Sequence, residues 1–537
     1  MIRAYSILSC ISFLLLNPSL NAQPIASWQH CFGGMGTDEF GNMIRTSDGG
    51  FVAIGQTTSN DGDVRNNHSL GLGDVWVVKL TKDSTIQWKT ALGGSDWDNA
   101  SNIIQTKDGG YAIAGLTLSN DGDVKDKHAL GGDAWIIRLS PAGTIIWSRT
   151  LGGFMNDAAY AIQQASDSSI LVAGFTYSSD GDFVREPSHT FGHAWAAMLD
   201  DSGRTKWIKT YGGNGDEGVY DMARSEDGGF VLAGWTTSED GDVSGQHGMT
   251  DAWVLKINDT GAIIWQRCLG GSDEDIAYGI TASSDGGYAI ACVSSSIDDD
   301  VVAQHGNSDA WIVKLNGDGS VDWAKSYGGS DYDGAGEITQ TSDGGYAFTG
   351  YADSGDGDVS GVHGGSSGPF DLWVVRIDKV GKLIWQYAAG GSGDDYGNGI
   401  VRLTDSTFFV AGASHSNDGD VSGLHGVDSE DSWLVRVGLP VPSLVVQQQD
   451  APSVSPFRLS QPSIGVLSVA YDLTGSTRVS LDLFDVMGCV RIMQRPEFQS
   501  PGSHVRIINT IGLPTGNYFI RLTEAGHSTT QPVSITE

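Results

Sequence analysis

The chain has 537 residues, enough for two or three domains, and a formal net charge of −34. So acidic a surface repels phosphates, which excludes nucleic acid as a partner. Glycine is abundant at 75 residues, helix formers are sparse, and aromatic and β-branched residues are plentiful, a mixture that points to short strands joined by tight turns.

Arg3, the apolar run Ile11-Ser12-Phe13-Leu14-Leu15-Leu16 and the small-residue site Leu20-Asn21-Ala22 predict a secretory signal over residues 1–22. No later run reaches the roughly 18 apolar residues a membrane helix needs, so no transmembrane segment is expected. Cys10 falls inside the signal. Cys31, Cys268, Cys292 and Cys489 lack paired spacing and read as buried free thiols, not as a disulfide framework or a zinc cluster.

From residue 23 onward the chain repeats itself with a period of about 60 residues. A D-G-G-like turn begins at Asp48, Asp108, Asp167, Asp227, Asp285, Asp343 and Asp405, and a double glycine at Gly33, Gly93, Gly152, Gly212, Gly270, Gly328 and Gly390. Fourteen of the sixteen tryptophans fall in two series, one led by Trp76 and Trp135, the other by Trp28 and Trp88. Such regularity assigns them to packing. Each unit reads as four strands; in the second they are 100–106, 111–118, 135–139 and 145–150, each bracketed by turn residues. The seventh unit stops after its third strand, at 433–437. Its missing fourth strand is at the other terminus, where residues 27–34 read W-x-x-x-x-G-G. Ends that complete each other predict a ring. The expected fold is therefore all-β: a seven-bladed β-propeller over 23–438, with four strands per blade and closure by the N-terminal strand.

The wording of these units resembles the bacterial β-propeller repeat family. The phrases that carry the likeness are Gly93-Gly94-Ser95-Asp96-Trp97-Asp98, Gly115-Leu116-Thr117-Leu118-Ser119 and Gly73-Asp74-Val75-Trp76-Val77-Val78-Lys79-Leu80. The resemblance spans about residues 25–438 and implies a fold, with little about activity.

Strand alternation places the fourth-to-first and second-to-third connections on one face, where the unusual residues gather and a binding site is expected. In the fourth-to-first connection an acid falls four positions after the second glycine of every unit: Asp38, Asp98, Asp157, Glu217, Asp275, Asp333 and Asp395. A D-G-D pair recurs in the second-to-third loop, and five copies are candidate calcium ligands: Asp61 and Asp63, Asp121 and Asp123, Asp240 and Asp242, Asp356 and Asp358, and Asp418 and Asp420. The spacing lacks a closing bidentate glutamate, and the histidine that follows each pair suits calcium poorly. Recurrence in all seven units favours a structural brace in which Asp, His, Thr and the third-strand Trp satisfy buried polar groups. No cofactor is required on this reading, and calcium is the candidate metal. Trp97 and Tyr332 beside the acids of the fourth-to-first connection, and Phe175, Trp235 and Tyr351 after the second-strand glycine, break the repeat and are candidate ligand-binding aromatics. Two loops are longer than the rest, at 183–190 and 364–370. No nucleophile elbow, metalloprotease helix or P-loop is present.

Residues 439–454 read as a Pro- and Gln-rich linker, and 455–537 as a second domain whose balanced charge leaves the acidity to the repeats. Alternating strands at 467–471, 479–484, 490–494, 505–508, 517–522 and 531–535 predict a small immunoglobulin-like sandwich. Residues 479–488, 513–522 and 529–535 resemble the type A sorting domain of the type IX secretion system of Bacteroidetes. That resemblance implies Sec export, passage from the periplasm through the outer membrane by the type IX secretion machinery, and a secreted or surface-attached product. A monomeric, non-catalytic binding or scaffold protein for a glycan or protein ligand is the favoured reading. A secreted carbohydrate-active hydrolase or lyase is the alternative.

Overall fold

A computed structural model describes residues 23–69, 71–128, 130–184, 191–364, 368–426, 429–440, 457–463, 466–485, 490–510, 513, 516–524 and 527–535. The expected signal peptide, most of the linker, His189 and Cys489 lie outside the described residues. Two compact units are present, one within residues 1–440 and the other within 441–537. Every helix or strand element among the described residues is a strand, and no helix there is long and apolar enough to cross a membrane.

In the first unit the strands pair as seven antiparallel four-stranded sheets, a repeating β-propeller architecture. The second sheet contains Asp98–Gln105, Tyr111–Thr117, Asp133–Leu139 and Ile145–Leu151. Its first and third strands begin two residues earlier than the apolar pattern predicts, each on a buried aspartate. The turn from first to second strand is held by Asp108, which accepts the Thr106 hydroxyl at 2.7 Å and the Gly110 N–H at 3.2 Å. Arg138 of the third strand reaches the same carboxylate at 2.5 Å. Lys79–Asp48, Lys256–Asp227, Lys314–Asp285 and Arg376–Asp343 repeat the pairing, each basic stem buried in its sheet with its charged end at the turn.

Third strands are buried on both faces, which explains their continuous apolar runs; fourth strands are half exposed. Neighbouring sheets share apolar cores. The core around Phe40, Phe51 and Trp76 of the first sheet also contains Phe409 and Leu434 of the last. The first strand Asp38–Arg45 packs on its counterparts in both the second and the seventh sheet, Asp98–Gln105 and Asp395–Thr404. Ile25–Phe32 pairs antiparallel with Asp431–Gly438, Ile25 opposite Gly438 and Phe32 opposite Ser432, so the seventh sheet is assembled from both ends of this unit.

The tryptophans act in packing. Third-strand indoles such as Trp76 and Trp135 are fully buried. Trp88 of a fourth strand donates to the Pro141 carbonyl of the next sheet at 3.2 Å and lies over Gly143. Gly143 has φ of +78°, and a Cβ there would sit 2.8 Å from the Trp88 ring, so only glycine fits. Trp147, Trp207 and Trp265 make the same bond to the next hairpin. Cys31, Cys268 and Cys292 are buried free thiols.

The second unit has one sheet of Arg458–Ser463, Val466–Leu473 and Gly502–Asn509, and another of Val490–Gln499, Thr477–Asp485, Gly516–Glu524 and His527–Ile535. Val469 and Tyr471 of one sheet share a core with Leu481, Leu483 and Ile520 of the other. This is a two-sheet sandwich. The pattern of alternation does not announce Arg458–Ser463, which reads R-L-S-Q-P-S.

Candidate functional site

The repeated polar residues form a clasp in each sheet. The acid opening each first strand is fully buried. Asp98 accepts the Gly94 N–H and the Ser119 hydroxyl, each at 2.8 Å, together with the Thr117 hydroxyl. Burial outweighs these bonds and pushes its carboxyl up to about 6. The acids opening six third strands, Asp74, Asp133, Asp251, Asp309, Asp371 and Asp431, lie 2.6–3.0 Å from the ring Nδ1 of His68, His128, His247, His305, His363 and His425. Among the described residues the third-strand tryptophans do not bond the clasp: Trp253, Trp373 and Trp433 donate to Gln266, Gln386 and Gln29, Trp195 to backbone carbonyls, and the Trp135 and Trp311 indoles are buried without a partner. The expected four-residue brace is thus a brace of Asp, His, Thr and Ser.

The third sheet departs from this pattern, and the fourth answers it. His193 replaces the third-strand acid, and its Nδ1 lies 2.9 Å from Glu217, the one glutamate among the seven first-strand acids. The longer side chain spans the gap left by the missing carboxylate.

The D-G-D loops close over the double glycines. Asp61, Asp121, Asp240, Asp356 and Asp418 each accept the N–H of the residue after a Gly-Gly pair at 2.7–2.8 Å. Of the second aspartates, Asp63 pairs with Lys89 at 3.0 Å, Asp123 and Asp242 accept the Gly93 and Gly212 N–H groups at 3.3 Å, and Asp420 accepts the Tyr387 hydroxyl at 3.0 Å. The Asp358 backbone N–H donates to the Gly328 carbonyl. Among the described residues no three His, Cys, Asp or Glu side chains are grouped closely enough to hold a metal ion.

What distinguishes one sheet from another lies in the first strands. Each slips register after its third residue, at Phe40/Asn42, Ala100/Asn102, Ala159/Ala161, Val219/Asp221, Ala277/Gly279 and Gly397/Gly399, and across two residues at Ala335/Ile338. A bulge leaves the extra residue off the ladder and re-aims side chains. The residues released are Gly41, Ser101, Tyr160, Tyr220, Tyr278, Gly336 with Glu337, and Asn398. All of them line one cavity of about 260 Å³. Glu39, Gln56 and Asn99 also line it, which puts its opening at the strand ends carrying the fourth-to-first and second-to-third loops.

Asn42, Asn102, Asp221 and Glu337 line this cavity and also a second one of about 440 Å³ that continues to Arg45 and Arg402. They form the waist between the two. Buried Asp221 accepts the Ile280 N–H at 2.9 Å and the Asn102 amide at 3.2 Å, and burial lifts its carboxyl to about 7. Glu337 is held well above the ordinary carboxylate range by burial and by the charge of Asp221. At the rim, Asn398 donates to Glu39 at 3.2 Å, and burial with the nearby Glu39 lifts Glu430 to about 7.

None of the five predicted aromatics lines this cavity; Trp97, Phe175 and Trp235 contact residues that do. Phe175 stacks on Tyr160 with centroids 5.7 Å apart, and Trp235 hydrogen-bonds the Tyr220 phenol. The Trp97 indole donates to Gln56 at 2.9 Å, and Tyr351 meets Phe370 edge-on at 5.1 Å and Tyr396 at 6.4 Å. Tyr332 is different: it is 50% exposed, in a segment bridged to Ser308. The lining itself, above all Tyr160, Tyr220, Tyr278, Asp221 and Glu337, was not among the sequence candidates. Its signal is the column of fourth and fifth residues in the seven first strands, a place where loops attract more notice than mid-strand positions.

No family model matches the chain. A stretch of 180 residues, 32% of this chain, is 26% identical to the Regulatory protein FlaEY of Caulobacter vibrioides. The match covers 19% of that protein, so the chain corresponds to about a fifth of the curated relative. Similar solved structures include PorZ, an essential surface component of the type-IX secretion system of Porphyromonas gingivalis, at 12% identity and TM-score 0.37, covering 94% of this chain and 60% of that one. Puromycin hydrolase is similar at 12% identity and TM-score 0.37, covering 83% and 58%. YCF48 bound to D1 peptide is similar at 10% identity and TM-score 0.36, covering 78% and 96%. Likeness at this level assigns no function, and the β-propeller description rests on the sheets of the chain itself.

Proposed function

We propose that this chain is an exported, monomeric, non-catalytic binding or scaffold protein whose first unit is a closed seven-bladed β-propeller and whose ligand is a glycan or a protein. Closure is supported by the N-terminal strand in the seventh sheet and by the packing of the first sheet on the last. One observation carries the binding role: the first strands depart from one another at the same bulged positions, and those departures meet in a single cavity. The repeated clasps serve a need common to all seven sheets, whereas a ligand needs one site. Three of the five aromatic candidates, Trp97, Phe175 and Trp235, touch its lining residues without lining it themselves. The second unit, on its resemblance, is an immunoglobulin-like signal for the type IX secretion machinery, which carries the body through the periplasm to the outer surface or the medium.

The test has two arms. Removing residues 455–537 is expected to hold the first unit in the periplasm, and ordinary surface display of that truncation removes the export reading. In a glycan and surface-protein screen of the full chain, the ligand found is expected to lose at least about tenfold in affinity on Tyr220→Leu. Unchanged affinity places the binding face elsewhere.

The alternative, a carbohydrate-active hydrolase or lyase, is favoured by Asp221 and Glu337. Burial lifts Asp221 to about 7, where a carboxyl can serve as a general acid near neutral pH, and holds Glu337 beside it above the ordinary range. On that reading Asp221→Asn abolishes turnover of a polysaccharide while leaving its binding in place.

A further inference from the structure

The cavity lining sorts by chemistry. Tyr160, Tyr220 and Tyr278 come from three consecutive sheets and form one aromatic wall, with ring centroids 5.2 and 5.1 Å apart. The equivalent residues of the other four sheets are Gly41, Ser101, Gly336 and Asn398, whose small size leaves the space opposite the wall open. At the waist are Asp221 and Glu337 with the amides of Asn42 and Asn102. Among the described residues no Lys, Arg or His lines this cavity. Among the described residues neither waist acid forms an ion pair; Arg402, which lines the second cavity, pairs with Asp405.

Two carboxylates taken from bulk water without a cationic partner are costly, and a ligand cation offsets that cost. A neutral sugar accepts and donates hydrogen bonds but brings no charge against which the two carboxyls could ionise. A quaternary ammonium has charge but no N–H to give to the carboxylates. A primary ammonium has both, and its alkyl stem is a match for a wall of tyrosine faces, which also attract cations. We propose that this cavity binds an aliphatic primary ammonium group, with the charged head at Asp221 and Glu337 and the stem along Tyr160, Tyr220 and Tyr278. The source is a free aliphatic amine or the side chain of a lysine on a partner protein. The inference rests on reading this cavity as the binding site.

The raised carboxyls of Asp221 and Glu337 agree with it, since an arriving cation stabilises their charged forms and expels the protons they hold. The other titratable groups facing them are Glu39 and the three tyrosines on the open side, and Arg45 and Arg402 in the second cavity.

The experiment is calorimetric titration of the full chain with 1,5-diaminopentane, with Nα-acetyl-lysine N-methylamide, and with pentane-1,5-diol as the uncharged counterpart. Saturable one-to-one binding of an amine is expected, with no binding of the diol. Proton release should be seen at pH 6 as a dependence of the heat on buffer ionisation. The tighter of the two amines identifies the source. Asp221→Asn with Glu337→Gln is expected to weaken amine binding by at least roughly tenfold. If the double variant does not fold, as judged by thermal unfolding, each single variant is measured instead. Equal affinity for diol and diamine, no binding of either amine, or amine binding unchanged in the folded variants overturns the proposal. If amines fail but a screened glycan or protein still loses affinity on Tyr220→Leu, the cavity stands as a binding site and only the ammonium class is lost.

Discussion

His193 and Glu217 belong to different units of the repeat, yet each departs from its own column in a way that the other requires. Where six units place an aspartate, His193 brings a ring nitrogen, and Glu217 is one methylene longer than its six counterparts and meets it at 2.9 Å. His193→Asp puts a carboxylate against buried Glu217 and is expected to destabilise by about 2 kcal/mol. Adding Glu217→Asp restores the spacing of the other six units and should recover part of that loss. A coupling energy of about 1 kcal/mol or more in urea unfolding is expected, and additive effects would show that the two residues act independently. At this scale the sequence was legible wherever chemistry repeats, as with Asp98, Thr117 and His128. It was opaque at Tyr220, Asp221 and Glu337, because a bulge decides which mid-strand side chains enter the cavity and no residue type announces these bulges.

Strands were legible because turn chemistry marks their ends. Thr106 to Gly110 closes through Asp108, and the apolar run from Ala134 follows a polar loop. Their exact starts were less so: Asp98 and Asp133 look like loop residues until their carboxylates are seen buried in clasps. The strand Ile25–Phe32 illustrates what a single element contributes. It covers the open side of Asp431–Gly438 through seven residue pairs and gives Cys31 and Phe32 to two cores. Deleting residues 23–32 leaves an unpaired edge and two cores exposed, so a fall in Tm on the order of 10 °C and self-association are expected. Thermal unfolding with light scattering measures both, and an unchanged Tm with a monodisperse product contradicts this role for the strand.

Across the whole molecule the buried acids set the response to pH. Burial raises Asp98, Asp157 and Asp395 to about 6, and Glu217, Asp221 and Glu430 to about 7. Between their unfolded values of about 4 and these folded ones, the native state binds more protons, so stability falls as pH rises through that interval. Against the effect of burial, the carboxylates of Asp251 and Asp371 lift His247 and His363; those groups stabilise at low pH and cease to do so above their folded values, adding to the same trend. Hydrogen bonds and neighbouring lysines hold Asp48, Asp167 and Asp227 at about 2, and their contribution is lost only below about pH 4. The Tm is therefore expected to peak near about pH 4–5 and to decline toward pH 8. A Tm that climbs from pH 5 to 8 would sink this account. The pairing of Ile25 with Gly438 has a mechanical corollary. Tension arriving along the chain after Gly438 enters the seventh sheet at the place where the two termini of the body are stitched together. The hydrogen bonds that flank Gly438, to Ile25 on one side and to Thr407 and Ser406 on the other, bear the load first, so the joint between the two termini also serves as the point where force enters the sheet.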